Sequence, residues 1–404
     1  MGQGGRGPLA DIRTTPGGAV TEASQTADQL HIYLSSNVWD GLWIIQQPVA
    51  REISRTASVL YVERFVSVFT VLRYPSLWRR LFSWLKGPRQ ISPTLRLLAP
   101  LPLFHLGHRF PRLFRLEFVL QRWWIERCAT RRGRRILWMD NPLYQCAVGE
   151  FDEDLSVYHV ADEISAFPTS DPLITDRLER AMLAKVDVVF AAAEQLSEDK
   201  RRWQPHTHTI WNAIDASAFG ADGSGPKVAN VEAIPTPRVA FVGVVDEWVD
   251  LELLYLAATR LPQIHFAVVG PVKVSIERLR SLPNVHFLGR LDRSDIPGAL
   301  RRCSASLVPF RKTKLTARIV PLKVFEALAA GILPVCTDFS MDLATLERDG
   351  HARVGRTSEE FVAAIQAAVA ADSPAQRTRL ADYGRRQTWE ARWQQMAKVL
   401  EERL

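Results

Sequence analysis

Short apolar runs alternate with helical patterns along the chain, and this alternation limits the fold more than any other feature of the sequence. The runs lie at 30–36, 58–63, 135–140, 156–162, 187–193 and 208–214, and again at 238–243, 265–270, 285–289, 305–310 and 332–337. A strand buried on both faces has such a continuous apolar run, and a helix between two of these strands makes them parallel. The pattern therefore predicts an α/β fold built on parallel sheets with crossover helices.

The length of the chain predicts two such sheets. Its 404 residues exceed the size of about 250 to 300 residues at which a single core stops growing. A stretch rich in Gly, Pro and Ala at 221–237 separates the two sets of runs and is predicted to be a linker. The residues at 1–28 are rich in Gly, Thr and Ser and lack the apolar core of a signal peptide, so they are predicted to form a disordered tail.

The stretch at 309–331 combines a strand end, a basic loop and a helix that carries a carboxylate. Four cations follow the strand where the chain leaves the sheet: Arg311, Lys312, Lys314 and Arg318. Pro321 suits the first turn of a helix and Gly331 its end, while Lys323 and Glu326 lie one turn apart between them. A helix N-terminus beside cations attracts phosphate, and Glu326 can accept hydrogen bonds from two ribose hydroxyls. The stretch therefore predicts a sugar-nucleotide site.

This stretch resembles the donor-binding motif of retaining glycosyltransferases of family 4 (GT4), which have the GT-B fold. The segment PLKVFEALAAG carries the likeness, and further counterparts occur in the same order at 211–219, 239–254, 266–271 and 284–291. Weaker likeness at 35–43 and 157–167 extends the resemblance over roughly 30–395. The resemblance implies an α/β chain with the GT-B fold, in which two Rossmann-like domains face a central cleft.

The resemblance also divides the chain and implies its chemistry. It implies an acceptor-binding domain at 29–222, a donor-binding domain at 223–375, and a C-terminal helix at 376–404 that crosses back to the first domain. The expected co-substrate is a UDP- or GDP-sugar, and the expected outcome is retention of anomeric configuration. No metal ion and no cofactor are expected, in agreement with the absence of a DxD motif at a strand end.

The family motif implies a set of donor-binding residues in the second domain: Gly243, Gly289, Arg290, Arg311, Lys314, Lys323 and Glu326. Gly243 would let the backbone approach the phosphates, and Gly289 and Arg290 end the strand where the family binds the nucleobase. The predicted catalytic residues are Asp162, Arg318 and Lys323. Positive charge near the diphosphate would stabilise the leaving group as the glycosidic bond breaks.

Two departures from the family pattern concern charge. The family commonly has a Glu eight residues before the ribose-binding Glu, where this chain has Arg318. The departure suggests that Arg318 serves the phosphates or a sugar that carries a carboxylate. The loop at 244–250 also lacks the Arg and Lys that many members have there. The cations between Arg311 and Lys323 would then carry the whole charge compensation.

Acceptor contacts are expected from the first domain, because ligands of parallel sheets bind beyond the carboxyl ends of the strands. Asp40 and Gly41 follow the first apolar run, and His159 and Asp162 end a later one. The latter two are three residues apart, so they point to opposite faces of an extended strand. Asp162 is the preferred acceptor-binding residue, and His159 is either a second one or a core histidine.

Positive charge is concentrated between Arg73 and Arg135. This segment contains 15 Lys and Arg but only Glu117 and Glu126 as acids, whereas the whole chain has a net charge of +7. Trp, Phe and Leu residues lie among the cations, as they do in surfaces that bind anionic lipid. The preferred prediction is peripheral contact with an anionic membrane. A solvated basic face and an anionic glycan are the alternatives, with nucleic acid the weakest because no recognised motif accompanies the charge.

The cysteines indicate a reducing compartment. Cys128, Cys146, Cys303 and Cys336 have neither a CxxC nor a metal-binding spacing, so they are predicted to be buried thiols of a cytoplasmic protein. No window approaches the uninterrupted apolar length of a transmembrane helix. The expected location is the cytoplasm, at the inner surface of the membrane.

The sequence therefore predicts a glycosyltransferase that moves a sugar from a nucleotide donor to a glycan, lipid-linked or small-molecule acceptor. A nucleotide-sugar epimerase of the same fold is one alternative, although an epimerase has no need of a large basic and aromatic first domain. A non-catalytic nucleotide-sugar-binding protein is another, and the departure at Arg318 favours it.

Overall fold

The computed structural model describes residues 29–41, 44–65, 67–68, 82–103, 110–129, 133–167, 170–219 and 229–404. The predicted tail at 1–28 lies outside the described residues. So do parts of the basic segment and residues 221–228 of the predicted linker, whereas 229–237 are described and begin with a short helix.

The first sheet has eight strands in the described part of the chain, in the order β3-β4-β2-β1-β5-β6-β7-β8. All neighbours are parallel except β3 and β4. The interiors of β1, β2, β5, β6 and β7 are mostly Val, Ile, Leu, Tyr, Phe and Trp buried on both faces, as the apolar runs predict. The strands are β1 Gln29–Leu34, β2 Ser58–Val62, β3 Arg89–Gln90, β4 Leu95–Leu98, β5 Arg134–Met139, β6 Leu155–Val160, β7 Val188–Ala191 and β8 Thr207–Thr209.

The second sheet is formed, within residues 229–404, by six parallel strands in the order β11-β10-β9-β12-β13-β14. The strands are β9 Arg238–Val242, β10 His265–Val269, β11 Val285–Gly289, β12 Ala305–Val308, β13 Leu333–Thr337 and β14 Arg353–Gly355. Each sheet reverses its strand order once, the first between β1 and β5 and the second between β9 and β12. Ligands of open parallel sheets bind at the carboxyl ends of strands at such reversals.

Helices connect the parallel strands and cover both sheets. In the first part of the chain they are α1 Gln46–Ile53, α2 Pro111–Cys128, α3 Pro172–Leu183 and α4 Glu194–Arg201. In the second they are α5 Ala229–Glu232, α6 Leu251–Arg260, α7 Glu277–Arg280, α8 Ile296–Arg301, α9 Leu322–Ala329, α10 Asp342–Arg348, α11 Ser358–Ala370, α12 Pro374–Arg385 and α13 Trp389–Glu401. The two-sheet α/β architecture that the sequence predicts is confirmed.

The structure differs from the sequence prediction in its short elements. Strands β3, β4 and β14 have only two to four residues and include Arg at Arg89, Arg96 and Arg353, so they give no apolar run. The predicted final helix is two helices, because the side chain of Thr388 accepts the N–H of Ala391 and starts α13 as a new helix. Helix α13 packs in the core of the first sheet, whereas α12 packs against α9 of the second.

The carboxyl ends of the two sheets face each other. Asp342, at the start of α10 after β13, accepts hydrogen bonds from the N–H of Glu194 at 3.0 Å and from the indole Nε1 of Trp211 at 2.7 Å. Those two residues follow β7 and β8 of the first sheet. The four cysteines are buried, unpaired thiols, as predicted. The segments that follow the strands of one sheet therefore form a cleft with those of the other.

Candidate active site

The candidate site lies where the second sheet reverses its strand order, at the carboxyl ends of β9 and β12. Gly243 follows β9, the predicted basic loop follows β12, and helix α9 begins after that loop. The sequence stretch at 309–331 thus lies at the position where this kind of sheet binds ligands.

Two glycines keep the ends of β9 and β10 open. Gly243 has φ 145° and Gly270 has φ 134°, a region of backbone conformation that favours glycine. A Cβ on Gly270 would lie 2.0 Å from the carbonyl oxygen of Gly243, and a Cβ on Gly243 would lie 2.5 Å from Nζ of Lys323. The Lys323 ammonium group therefore occupies the space beside Gly243, and the approach of this backbone to a phosphate stays a prediction.

Helix α9 presents its N-terminus at the same point. Pro321 is the N-cap with ψ 138°, and no side chain of the described residues caps the first turn, which contains no acid. The N–H of Val324 donates to the carbonyl of Pro321 at 3.0 Å, and the N–H groups of Leu322 and Lys323 before it can bind an anion. Gly331, with φ 80°, follows the helix, and a Cβ there would lie 2.8 Å from the carbonyl oxygen of Arg377. The predicted helix limits are confirmed.

Lys323 is a cation in apolar surroundings. Its Nζ lies 4.8 Å from the ring centre of Phe241 and 4.6 Å from that of Phe310. Burial lowers its pKa from 10.5 to about 8, although the negative charge of Glu326 opposes the change. The ion pairs in the described part of the chain do not include Lys323. A partly desolvated cation without a counter-ion gains more from a bound phosphate than a solvated lysine does.

The low pKa of Lys323 predicts pH-dependent donor binding. Only the ammonium form attracts a diphosphate, so affinity for UDP should fall as the pH rises above about 8. Calorimetry from neutral pH to about 10 tests this, because the phosphates of UDP have already lost their protons there. The Lys323→Arg variant keeps its charge and should show no such fall. A wild-type affinity that stays constant over the range would contradict the assignment.

Glu326 is the second charged group of α9. Burial raises the pKa of its carboxyl, and the positive charges of Arg293 and Lys323 partly oppose this. Together with Asp215, Arg293 and Leu322 it lines a hollow in the cleft. No hydrogen-bond donor among the described residues reaches its oxygens. Free acceptor oxygens in the wall of a hollow suit a pair of ribose hydroxyls.

Arg293 is not among the residues that the motif indicates. It lies in the loop between β11 and α8, in the polar run LDRSDIP, and its position after a strand end is the signal that could have found it. Gly289, with φ 67°, accepts the N–H of Gly270 on its carbonyl at 2.7 Å, so its conformation belongs to the sheet end. Arg290 is exposed beside it. The nucleobase roles of Gly289 and Arg290 stay predictions.

Some cations of the basic loop after β12 point into the cleft, and others contact the first domain on its far side. Arg311 is exposed, and its backbone N–H donates to the carbonyl of Trp248 at 2.8 Å. The Nζ of Lys314 donates to the hydroxyl of Ser165 in the first domain at 2.9 Å. Of the predicted phosphate-binding cations, Arg311 and Lys323 are therefore the two whose charged groups have no hydrogen bond within the described residues.

Arg318 has carboxylate partners within the protein, whereas the sequence predicts that its charge serves a ligand. Its Nε lies 2.7 Å from Oδ2 of Asp199 and 3.5 Å from Oε2 of Glu163, and its Nη1 donates to the carbonyl of Lys314 at 3.0 Å. Both carboxylates belong to the first domain. The guanidinium therefore connects the two domains. The fold brings two carboxylates that are distant in sequence close to Arg318, which stands where the family commonly has a Glu. A catalytic role for Arg318 stays a prediction.

A buried ion cluster holds the partner of Arg318 in place. Nζ of Lys200 lies 2.6 Å from Oε2 of Glu179 and 3.3 Å from Oε2 of Glu163, and the hydroxyl of Tyr158 donates to Glu179 at 2.9 Å. Burial alone would lower the pKa of Lys200, but the two carboxylates raise it. All these side chains are nearly inaccessible to solvent, so the carboxylate that faces Arg318 is fixed.

The ion pairs of Arg318 predict a stability effect rather than an affinity effect. Arg318→Ala leaves Asp199 and the buried Glu163 with less compensation, which should cost about 1–3 kcal/mol of the free energy of unfolding. The affinity for UDP should change little. Denaturant unfolding and calorimetry of the same variant test this, with Asp199→Ala and the double variant completing a cycle. Loss of UDP affinity without loss of stability would instead favour a role in the site.

Asp162 and His159 occupy different environments after β6. Burial raises the pKa of Asp162 to about 6, and its carboxylate forms no hydrogen bond or ion pair with the described residues. His159 is only 3% exposed, and its Nδ1 lies 2.8 Å from the hydroxyl of Tyr33. Burial lowers the pKa of His159 to about 4. The structure thus places His159 in the core and leaves Asp162 as the free polar group at the cleft.

Asp40 and Gly41 lie in a turn after β1, in the first domain. Oδ2 of Asp40 pairs with Nη2 of Arg89 at 2.7 Å. The N–H of Gly41 donates to the carbonyl oxygen of Val38, and a Cβ on Gly41 would lie 3.1 Å from that same oxygen. Turn geometry therefore explains the glycine, and acceptor contacts by this pair stay a prediction.

The reversal in the first sheet carries a buried carboxylate, Asp140, after β5. It accepts the N–H of Ser36 at 2.7 Å and the hydroxyl of Ser35 at 3.0 Å, and the hydroxyl of Tyr61 donates to Ser35 at 2.7 Å. Burial raises the pKa of Asp140 to about 7. The hydrogen bonds that Asp140 accepts from Ser35 and Ser36 therefore hold the loop after β1 in place.

No group of three or more His, Cys, Asp or Glu in the described part of the chain is arranged to hold a metal ion. None of its helices is both long and apolar enough to cross a bilayer. Independence of metal stays a prediction.

The whole architecture is similar to solved two-domain structures. Sucrose-phosphate synthase from Thermosynechococcus elongatus superimposes with a TM-score of 0.66 at 18% identity, over 93% of this chain and 98% of that one. Anabaena Alr3699/HepE in complex with UDP and glucose does so with a TM-score of 0.60 at 13% identity, over 93% of this chain and 99% of that one. The chain has the GT-B fold.

Sequence comparison of this GT-B chain concerns mainly its second half. Residues 236–371 match the family model described as glycosyl transferases group 1. TuaH of Bacillus subtilis, which is named for a glycosyltransferase role in teichuronic acid biosynthesis, is 24% identical over 221 residues. That match covers 50% of this chain and 55% of TuaH, so the chain spans about half the length of this relative. The similarities thus show the GT-B fold and a match of residues 236–371 to the group 1 family model, and assignment to GT4 stays a prediction.

Proposed function

We propose that this chain transfers a sugar from a UDP- or GDP-sugar to an acceptor held by the first domain, with retention of configuration and without a metal ion. One observation carries the proposal: among the described residues, helix α9 carries a cation that forms no ion pair, Lys323, and a carboxylate that accepts no hydrogen bond, Glu326. They lie one turn apart at the reversal of strand order. The diphosphate and the ribose of a sugar nucleotide supply the complementary groups.

The proposed donor contacts follow from this arrangement. Lys323 and the N–H groups of the first turn of α9 bind the diphosphate, and Arg311 and Lys314 add positive charge from the loop. Glu326 accepts hydrogen bonds from the ribose hydroxyls. The base lies toward the loop after β11, near Gly289, Arg290 and Arg293.

The proposed reaction breaks the bond between the anomeric carbon and the diphosphate oxygen, and the electron pair stays on that oxygen. The acceptor hydroxyl oxygen forms the new bond on the same face, and its proton passes to the departing phosphate. Lys323 stabilises the negative charge that develops on the diphosphate, which is the largest electrostatic contribution to such a reaction. Asp162, which is mostly ionised at neutral pH, accepts a hydrogen bond from the acceptor and positions it.

The proposed acceptor is a glycan or a lipid-linked sugar. TuaH is named for the biosynthesis of a polysaccharide, and a basic, aromatic first domain suits an acceptor at a membrane surface. We therefore place the reaction at the cytoplasmic face of the membrane.

Nucleotide binding and product formation test the proposal together. UDP, GDP and their sugars should be screened by thermal unfolding, because a ligand at about 100 times its dissociation constant stabilises the folded state by about 2.7 kcal/mol. One nucleotide should stabilise the protein. The matching nucleotide sugar should be converted to free nucleotide only when an acceptor is present. Binding without release would indicate a non-catalytic binding protein, and isomerisation of the sugar nucleotide without acceptor would indicate an epimerase. Absence of nucleotide binding would overturn the proposal.

A further inference from the structure

Helix α2 is apolar on two opposite faces. One face packs on the first sheet through Phe114, Phe118 and Ile125, which are nearly fully buried. The other face points to solvent and carries large apolar side chains that are 38% to 69% exposed: Leu113, Leu116, Val119, Leu120 and Trp123. Core packing explains the first face, but none of the described residues covers the second.

These exposed side chains form one continuous surface, which we call the α2 stripe. They recur at spacings of three and four residues, so they lie along one side of the helix. The neighbouring turn Ser83–Lys86 extends it, because the ring of Trp84 packs edge-on against Trp124 at 6.0 Å while Phe82 and Leu85 are each 61% exposed. A contiguous apolar patch, unlike a single exposed leucine, marks an interaction surface.

Every exposed charge on helix α2 itself is positive. The exposed cations are Arg112, Arg115, Arg122 and Arg127. Neither acid of the helix is exposed. Glu117 is buried, and Glu126 is partly buried and pairs with Arg135 at 2.9 Å. Arg122 also pairs with Glu150 at 2.6 Å, which leaves the other three without a carboxylate partner in the described part of the chain. The α2 stripe is therefore apolar with a positive border.

We infer that the α2 stripe binds the surface of an anionic lipid bilayer. Its Leu, Val and Trp side chains enter the boundary between headgroups and acyl chains, and its Arg side chains contact lipid phosphates. A symmetric dimer through the same face is less favourable. Such a contact repeats one patch on both copies, so it would bring the Arg residues of two copies together.

The α2 stripe also lies near the cleft. The ring of Phe114, in the first turn of α2, lies 6.5 Å from that of Tyr144, whose hydroxyl donates to the carbonyl of Ser35 at 2.9 Å just after β1. The N-terminal half of α2 is thus at the carboxyl edge of the first sheet, where the acceptor is expected. That a lipid-linked acceptor enters from this side rests on the proposed function, whereas the lipid contact does not.

Co-sedimentation of the full chain with vesicles tests the inference. The protein should sediment with phosphatidylcholine vesicles that contain phosphatidylglycerol but not with phosphatidylcholine alone, and binding should weaken as salt is raised. Replacing Leu116 and Trp123 together by Gln should reduce lipid affinity by roughly tenfold or more, because apolar insertion is lost. Arg112→Gln with Arg115→Gln should reduce it by a similar factor on anionic vesicles.

Matched controls separate the surface from general effects. Leu173→Gln removes an 83% exposed leucine from α3, and Arg260→Gln removes an exposed cation from α6, and both should leave lipid binding unchanged. Thermal unfolding of every variant reports folding without reference to any nucleotide. Equal sedimentation with neutral and anionic vesicles would overturn the inference. So would sedimentation that the Leu116 and Trp123 substitutions leave unchanged. So would a dimer in sedimentation velocity that these substitutions dissociate while wild-type protein fails to bind vesicles.

Discussion

Replacing Glu326 by alanine should abolish most sugar transfer and weaken binding of the donor nucleotide by roughly 10- to 100-fold. The carboxylate is expected to accept hydrogen bonds from ribose hydroxyls, and hydrogen bonds to a charged group are worth about 1.5–3 kcal/mol. The fold should remain intact or become more stable. Burial raises the pKa of Glu326, so its carboxylate costs free energy in the folded state and its removal relieves that cost.

Calorimetry with the nucleotide and thermal unfolding without it measure the two parts of this expectation. Glu359→Ala is the matched control, because Glu359 is an exposed glutamate in the first turn of α11 in the same domain. It should change neither property. Wild-type affinity in Glu326→Ala would remove the main support for the ribose contact, and a large loss of stability would show that Glu326 is instead a structural residue.

Replacing Lys323 by methionine should slow transfer by roughly 100- to 1,000-fold, the cost that accompanies the loss of one group that stabilises developing charge. Methionine keeps the apolar contacts with Phe241 and Phe310 and removes only the ammonium group. UDP should lose more affinity than UMP, because the expected partner is the diphosphate. Stability should not fall, since burial lowers the pKa of this lysine and its ammonium group therefore costs free energy in the folded state.

Single-turnover transfer and calorimetry with UMP and UDP test the Lys323 expectation. Lys312→Met is the matched control, because Lys312 lies in the adjoining loop but is exposed and pairs with Asp338 at 3.2 Å. It should retain transfer. Equal losses of affinity for UMP and UDP in Lys323→Met would contradict a diphosphate contact.

Long, continuous apolar runs allowed the strands to be predicted, since a strand buried on both faces needs apolar residues at every position. Strands β1 and β6 are examples, with nearly every residue buried. Helix α9 was predictable for a similar reason, because Pro321 and Gly331 mark its ends locally. The short strands β4 and β14 were not predictable, because pairing with neighbours rather than their own composition stabilises them.

The candidate site was predictable only in part. Lys323 and Glu326 share one helix, so their proximity follows from local spacing. Arg293 lines the same hollow as Glu326 but belongs to another loop, and its place after a strand end indicates a ligand site without indicating that Glu326 is near. The composition of the basic segment predicts a lipid-binding surface, which stays a prediction, but the split of α2 into a buried and an exposed apolar face required the position of the first sheet.

The sequence by itself determined the two parallel sheets, the limits of α9 and the identity of its charged pair, because these depend on residues close together in the chain. The tertiary structure decided what surrounds each charge. Arg318 pairs with Asp199 and Glu163 across the cleft, and His159 turns toward Tyr33 in the core. Hydrophobic periodicity reports how much of a segment is buried, but it contains no information on which distant side chain lies against it. The role of a charged residue therefore depends on a partner that only the assembled fold supplies.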